Sequence, residues 1–87
     1  MGISAQISLY PLGQKDLAPA IEAVWDVLKE RDLPFEAGTM STVTWGSDEE
    51  VFSALREAFA RAAEYGHAVM VITVSNACPI SGGKEGK

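Results

Sequence analysis

The order in which two hydrophobic periods alternate constrains this chain more than any other property. Residues 3–10 set Ile3, Ala5, Ile7 and Leu9 against Ser4, Gln6, Ser8 and Tyr10. Period two marks a strand with one apolar and one polar face. Pro11 and Gly13 close it. The period then switches. Leu17, Ile21, Val24, Trp25 and Leu28 recur as one stripe of a helix over residues 17–31. Asp16 is placed to cap that helix, and Pro19 is tolerable in a first turn. Pro34 prevents continuation past Leu33.

Residues 35–46 read as two short strands joined by a tight turn near Gly38. The second, Ser41 to Trp45, is rich in Thr, Val and Trp, which suit a pleated surface. Ser47-Asp48-Glu49-Glu50 is a capping box, in which Ser47 meets the Glu50 amide and Glu50 reaches back. Its acids also suit the positive helix N-terminus. Val51, Phe52, Leu55, Ala58, Phe59 and Ala62 form the expected buried stripe, and Gly66 stops the helix. Residues 67–77 form the last strand, with Ala68, Met70, Ile72 and Val74 alternating with Val69, Val71, Thr73 and Ser75. Residues 81–87 are a Gly/Lys tail expected to be disordered. The order β-α-β-β-α-β with right-handed crossovers predicts an α+β, ferredoxin-like sandwich over residues 1–80. It has a four-stranded antiparallel sheet with both helices on one face. The open face would carry Ser4, Gln6, Ser8, Tyr10, Val69, Val71, Thr73 and Ser75. That mixed, semi-apolar surface calls for a second subunit or a ligand.

At 87 residues the chain is one domain with a marginal core. A net charge of -5 argues against a nucleic-acid partner, which needs clustered Lys and Arg. No apolar run approaches the roughly 20 residues that span a membrane. No signal segment is evident, and the single cysteine, Cys78, fits a reducing cytoplasm. Catalysis needs a nucleophile, a base and a charge stabiliser within reach of one another. The only histidine, His67, reads as an exposed strand-end residue, and Cys78 has no cationic neighbour closer than Lys84. The capping box accounts for the acid run at 48–50, so no metal site is implied. No arginine follows the first strand, as an acylphosphatase would need. The aromatic-and-basic pattern of RNA-binding modules is missing, as is a Cys-x-x-Cys metal loop. The expectation is a protein that is not an enzyme. Amino-acid-sensing regulatory domains of this fold are not excluded.

Three separated segments carry a more specific signal. Ile7 to Pro11 ends the first strand. Ser41 to Val43 precedes the Gly46-Ser47 cap, which is followed by Val51-Phe52. Ser75 to Pro79 ends the last strand. In this order and spacing, across residues 3–79, they resemble the thiamine/hydroxymethylpyrimidine-binding, YkoF-like family. Thr39 to Thr42 is similar to a Pro-Met-Gly/Ser-Thr pattern of its single-domain sister group. The resemblance implies a ferredoxin-like fold that binds thiamine, or its hydroxymethylpyrimidine half, without chemistry and without a cofactor. Members with two tandem copies pack their domains together. One copy therefore implies a homodimer or a dimer of dimers.

An aminopyrimidine is flat, with ring-nitrogen acceptors and an exocyclic amine donor. A selective site for it needs a narrow slot with apolar walls and a few fixed polar groups. Gln6, Ser8, Ser41 and Thr42 are the candidate polar contacts, and Tyr10, Met40 or Trp45 the candidate walls. Glu36 and Asp48 are candidates for holding the cationic thiazolium by charge, while Trp25 is expected in the core. The competing readings are an oligomeric regulatory sensor of another metabolite and a purely structural oligomer.

Overall fold

The protein is described from a computed structural model over residues 1–77. The expectations for Cys78 and for the 81–87 tail lie outside the described residues. The elements are β1 (Gly2–Pro11), α1 (Ala18–Glu30), β2 (Phe35–Ala37), β3 (Thr42–Ser47), α2 (Asp48–Ala62) and β4 (Ala68–Ser75). A short 3-10 turn, Ala63–Tyr65, extends α2. The strands form one antiparallel sheet in the order β2-β3-β1-β4. This is the ferredoxin-like arrangement, with both crossover helices on one face.

β1 holds the sheet together because both its edges are paired. Ile7 lies opposite Thr42 on β3 and opposite Ile72 on β4. Its apolar row, Ile3, Ala5 and Ile7, is buried beneath the helices. Val24, Val27 and Leu28 of α1 and Val51, Leu55 and Ala58 of α2 complete the core. Alanines at 20, 54, 58 and 62 are fully buried, and their small side chains let the layers approach closely.

Local signals set the helix ends. The Ser47 hydroxyl accepts the Glu50 amide at 3.2 Å, which satisfies one orphan donor of α2. The Asp16 carboxylate accepts the Ala18 amide at 3.0 Å and starts α1. Gly66 follows the 3-10 turn with φ 140°, a conformation that side chains disfavour.

Two helical stripes differ from expectation. On α2, Ala54 is buried, whereas Phe52 and Phe59 are 52% and 41% exposed. One residue is about 100° of helix, so each ring sits on the flank of the Val51-Ala58 line rather than on it. On α1 the buried line runs through Ala20, Ala23, Val24, Val27 and Leu28. Leu17 precedes the helix and is exposed, and Trp25 is only half-buried. β4 also departs from expectation. As an edge strand it leaves Ile72 and Val74 39% and 40% exposed, although both belong to its helix-side row.

Surface charges tie the helices together. Arg31 pairs with Glu57 at 2.7 Å, and Arg61 bridges Glu57 and Glu30. The bond from Arg61 holds the Glu30 carboxyl below the usual carboxylate range. Arg31, and then Arg61, do the same to Glu57. Lowered carboxyl pKa values stabilise the fold above the ordinary carboxylate range, and that contribution is lost as pH falls through the folded values. In urea titrations from neutral pH into the acid range, Arg61→Ala should therefore flatten the acid-side loss of stability. An unchanged pH slope would show that the pairs contribute nothing.

A second prediction concerns Gly46. A Cβ there would meet Leu33 Cδ2 at 2.9 Å, inside the packed corner where β3 turns into α2. Gly46→Ala should cost roughly 1–3 kcal/mol in denaturant unfolding, the usual result of overpacking. A midpoint equal to wild type would show that Leu33 yields freely.

Candidate functional site

A half-open cavity lies on the helix-covered side of the sheet, between α1, β1, the start of β3 and the 38–41 turn. Its volume is about 210 Å³. β1 contributes Ile7 and Leu9 as floor, and α1 contributes Ile21, Val24 and Trp25 as wall. The turn contributes Gly38, Thr39, Met40 and Ser41, and β3 contributes Thr42. No lining residue is charged. The lining is therefore apolar on two sides, with small hydroxyl-bearing residues at the third.

Register explains why Thr42 faces inward. Residues directly opposite in an antiparallel pair share a sheet face. Thr42 lies opposite Ile7, and Ile7 faces the helices. Thr42 is accordingly buried, and its Oγ1 accepts the Trp25 Nε1–H at 2.9 Å. Two residues along, Thr44 opposes Ala5, and its hydroxyl donates to the Pro34 carbonyl at 2.8 Å. The turn that closes the cavity is itself fixed, since the Gly38 amide donates to the Ser41 carbonyl at 2.7 Å. Met40 stands at its tip, 78% exposed, at the rim of the opening.

Of the residues picked out from sequence, Met40, Ser41 and Thr42 line this cavity. Gln6, Ser8 and Tyr10 do not. The period of two that makes β1 a strand puts them on the opposite face from Ile7 and Leu9. Gln6 alone approaches, with its Nε2–H donating to Ser41 Oγ at 3.3 Å. Trp45 lies opposite Ser4 on that open face. Glu36 and Asp48 are also outside the cavity. Asp48 begins α2, at the other end of β3, and pairs with the N-terminal ammonium at 3.3 Å.

Trp25 and Ile21 are the cavity residues that sequence reasoning placed elsewhere. A signal for them exists: Leu17, Ile21 and Trp25 form an i, i+4 line of large apolar side chains beside the alanine-rich line that packs on the sheet.

A second concavity, about 480 Å³, is an open groove between α2 and β4, lined by Leu55, Arg56, Phe59, Ala68, Val69, Met70 and Ile72. Arg56 is its only polar side chain, so it lacks the convergent polar groups of a small-molecule site. Among the described residues, no three His, Cys, Asp or Glu side chains gather to hold a metal ion. No helix there is long and apolar enough to cross a membrane.

Fold and cavity together define a small ferredoxin-like domain with a largely apolar slot, among the described residues, between a helix and the sheet. The chain belongs to the YkoF-related family, whose profile matches residues 2–81. Solved structures agree on the fold. A hypothetical protein from Methanocaldococcus jannascii is 25% identical, with a TM-score of 0.79 over 86% of this chain and 79% of its own. A protein from Streptococcus pneumoniae is 20% identical, with a TM-score of 0.83 over 93% of this chain and 92% of its own. A Thermotoga maritima protein, provisionally described as one of thiamine biosynthesis or salvage, is 16% identical, with a TM-score of 0.75 over 85% and 82%. Comparison with curated proteins finds no match.

Proposed function

We propose that this protein binds thiamine, or its hydroxymethylpyrimidine half, in the α1–sheet cavity without transforming it, in the cytoplasm and as a homo-oligomer. The observation that carries the reading is the cavity itself: apolar walls, the Thr42 hydroxyl at one side and no charged lining. Family membership supports it, and the description of the Thermotoga neighbour points the same way. Pockets for drug-sized ligands begin at about 300 Å³. A volume of about 210 Å³ suits one heteroaromatic ring and leaves the rest of a two-ring ligand at the rim, near Met40. The absence of Lys and Arg from the lining favours an unphosphorylated ligand.

Calorimetric titration of thiamine, with hydroxymethylpyrimidine in parallel, tests this directly. Saturable binding of both is expected. Ile21→Trp places an indole in the slot and should weaken both by at least about tenfold, or 1.4 kcal/mol, while the helical circular dichroism is unchanged. Silence from both ligands with wild-type protein would sink the reading.

The β4 edge supports self-association. The Leu12 amide donates to the His67 carbonyl at 2.8 Å. Bonded pairs alternate along an antiparallel ladder, so Val69, Val71 and Thr73 turn their backbone groups to β1. Pro11, which has no N–H, falls opposite Ala68 at an unbonded position. Ala68, Met70, Ile72 and Val74 consequently direct their N–H and C=O groups to the free edge. That edge has no charge, proline or bulge to blunt it, and apolar side chains are exposed on both faces of the strand. A second copy of β4, running antiparallel across a two-fold axis, satisfies it with an identical strand. Light scattering should give the mass of two or four chains. Ile72→Lys with Val74→Lys should give one chain of unchanged helicity. A monomeric wild type would rule out pairing along this edge.

A further inference from the structure

The bond between Trp25 and Thr42 leaves the Thr42 proton as the group the cavity has to match. A hydroxyl has one proton to donate and two lone pairs to accept with, whereas an indole nitrogen only donates. Trp25 Nε1–H occupies one lone pair of Thr42 Oγ1 at 2.9 Å and cannot receive the Thr42 proton. Thr42 is 7% exposed, so water reaches it poorly. On the sheet, Thr42 lies opposite Ile7 on one side and Ala37 on the other. Among the described residues, none accepts the hydroxyl proton. A buried donor without a partner is costly, and this one lines the slot.

We infer that Trp25 is a positioning residue that makes Thr42 a fixed donor, so that the slot selects flat rings presenting an acceptor, a ring nitrogen or a carbonyl oxygen, at that point. As applied to thiamine, the inference rests on the reading above and adds the atom type that decides selectivity. A ring in which C–H replaces the acceptor nitrogen keeps its shape and leaves the Thr42 proton unpaired. Sites built around a hydrogen bond reject such analogues strongly.

The test compares thiamine with its two pyridine analogues, each lacking one pyrimidine ring nitrogen. Wild-type protein should bind thiamine roughly 10- to 100-fold more tightly than one of the two analogues. Thr42→Val should bring that ratio close to one, and Thr42→Ser should restore it. Trp25→Phe keeps an aromatic wall but frees the hydroxyl to rotate, so it should lower the ratio more than it lowers thiamine affinity. A residue that merely supported the wall would lower affinity for all three ligands alike. Thermal melts confirm that each variant is folded.

Equal binding of thiamine and both analogues by wild type would overturn the inference while leaving thiamine binding intact. If thiamine itself does not bind, the same variants are titrated with 4-aminopyrimidine and aniline, which share a shape and differ in ring nitrogens. A Thr42-dependent preference for the pyrimidine would uphold the donor assignment and overturn only the thiamine reading. No preference would overturn both.

Discussion

Everything in this structure depends on β1 being hydrogen-bonded along both edges. Its neighbours, β3 on one side and β4 on the other, both belong to the second βαβ unit, so β1 inserts the first unit between the strands of the second. Its strict alternation then fixes two surfaces at once. Ile3, Ala5 and Ile7 receive the helices, and Gln6, Ser8 and Tyr10 face away. A slip of one residue would exchange those faces and bury the polar row. The register is therefore held by the full apolar contrast between the rows, not by any single contact.

The cavity follows from the same register. Near the start of β1, small Ala5 and the alanine-rich buried face of α2 belong to the closely packed core. Toward its end, Ile7 and Leu9 lie beneath the first turns of α1 instead. There the helix contributes Ile21 and Trp25 from its flank, and the gap stays open. β3 enters beside this gap, and pairing of Thr42 with Ile7 delivers a buried hydroxyl to an otherwise apolar slot. The polar group is where it is because a β-branched strand residue, favourable to the sheet, happens also to carry an oxygen.

Much of the fold was legible in the sequence because its strongest signals are local. The alternation of β1, the Ser47 cap and the Gly66 stop each act over a few residues, and each appears where expected. The helix faces were less legible. Phe52 and Phe59 look like core by hydrophobicity, yet a rotation of one residue sends them to the flank, and only tertiary packing decides that. The lining of the cavity was half legible for the same reason. Met40, Ser41 and Thr42 are contiguous and reach the cavity together. Gln6, Ser8 and Tyr10 carry suitable chemistry, but alternation places them on the face away from this cavity, a consequence that requires knowing which face the helices cover. Trp25 was hidden by its place on an apolar stripe. Its partner lies 17 residues away, and no local pattern links a helix flank to the first residue of a distant strand.

The two concavities show why size alone misleads. The α2–β4 groove has more than twice the volume of the cavity, yet its walls offer a row of apolar side chains and unpaired strand backbone. That is the chemistry of association, where register and area matter more than a fixed donor. The cavity offers the reverse: little volume, largely apolar walls and one hydroxyl held by an indole. A small ring gains most of its affinity from burial, which nearly any flat ligand would share, and its selectivity from the few polar groups that must be matched. A domain of 87 residues has little core to spare. Placing the two surfaces on opposite sides of β1 lets one strand support both, without either opening the core that Ile3, Ala5 and Ile7 hold closed.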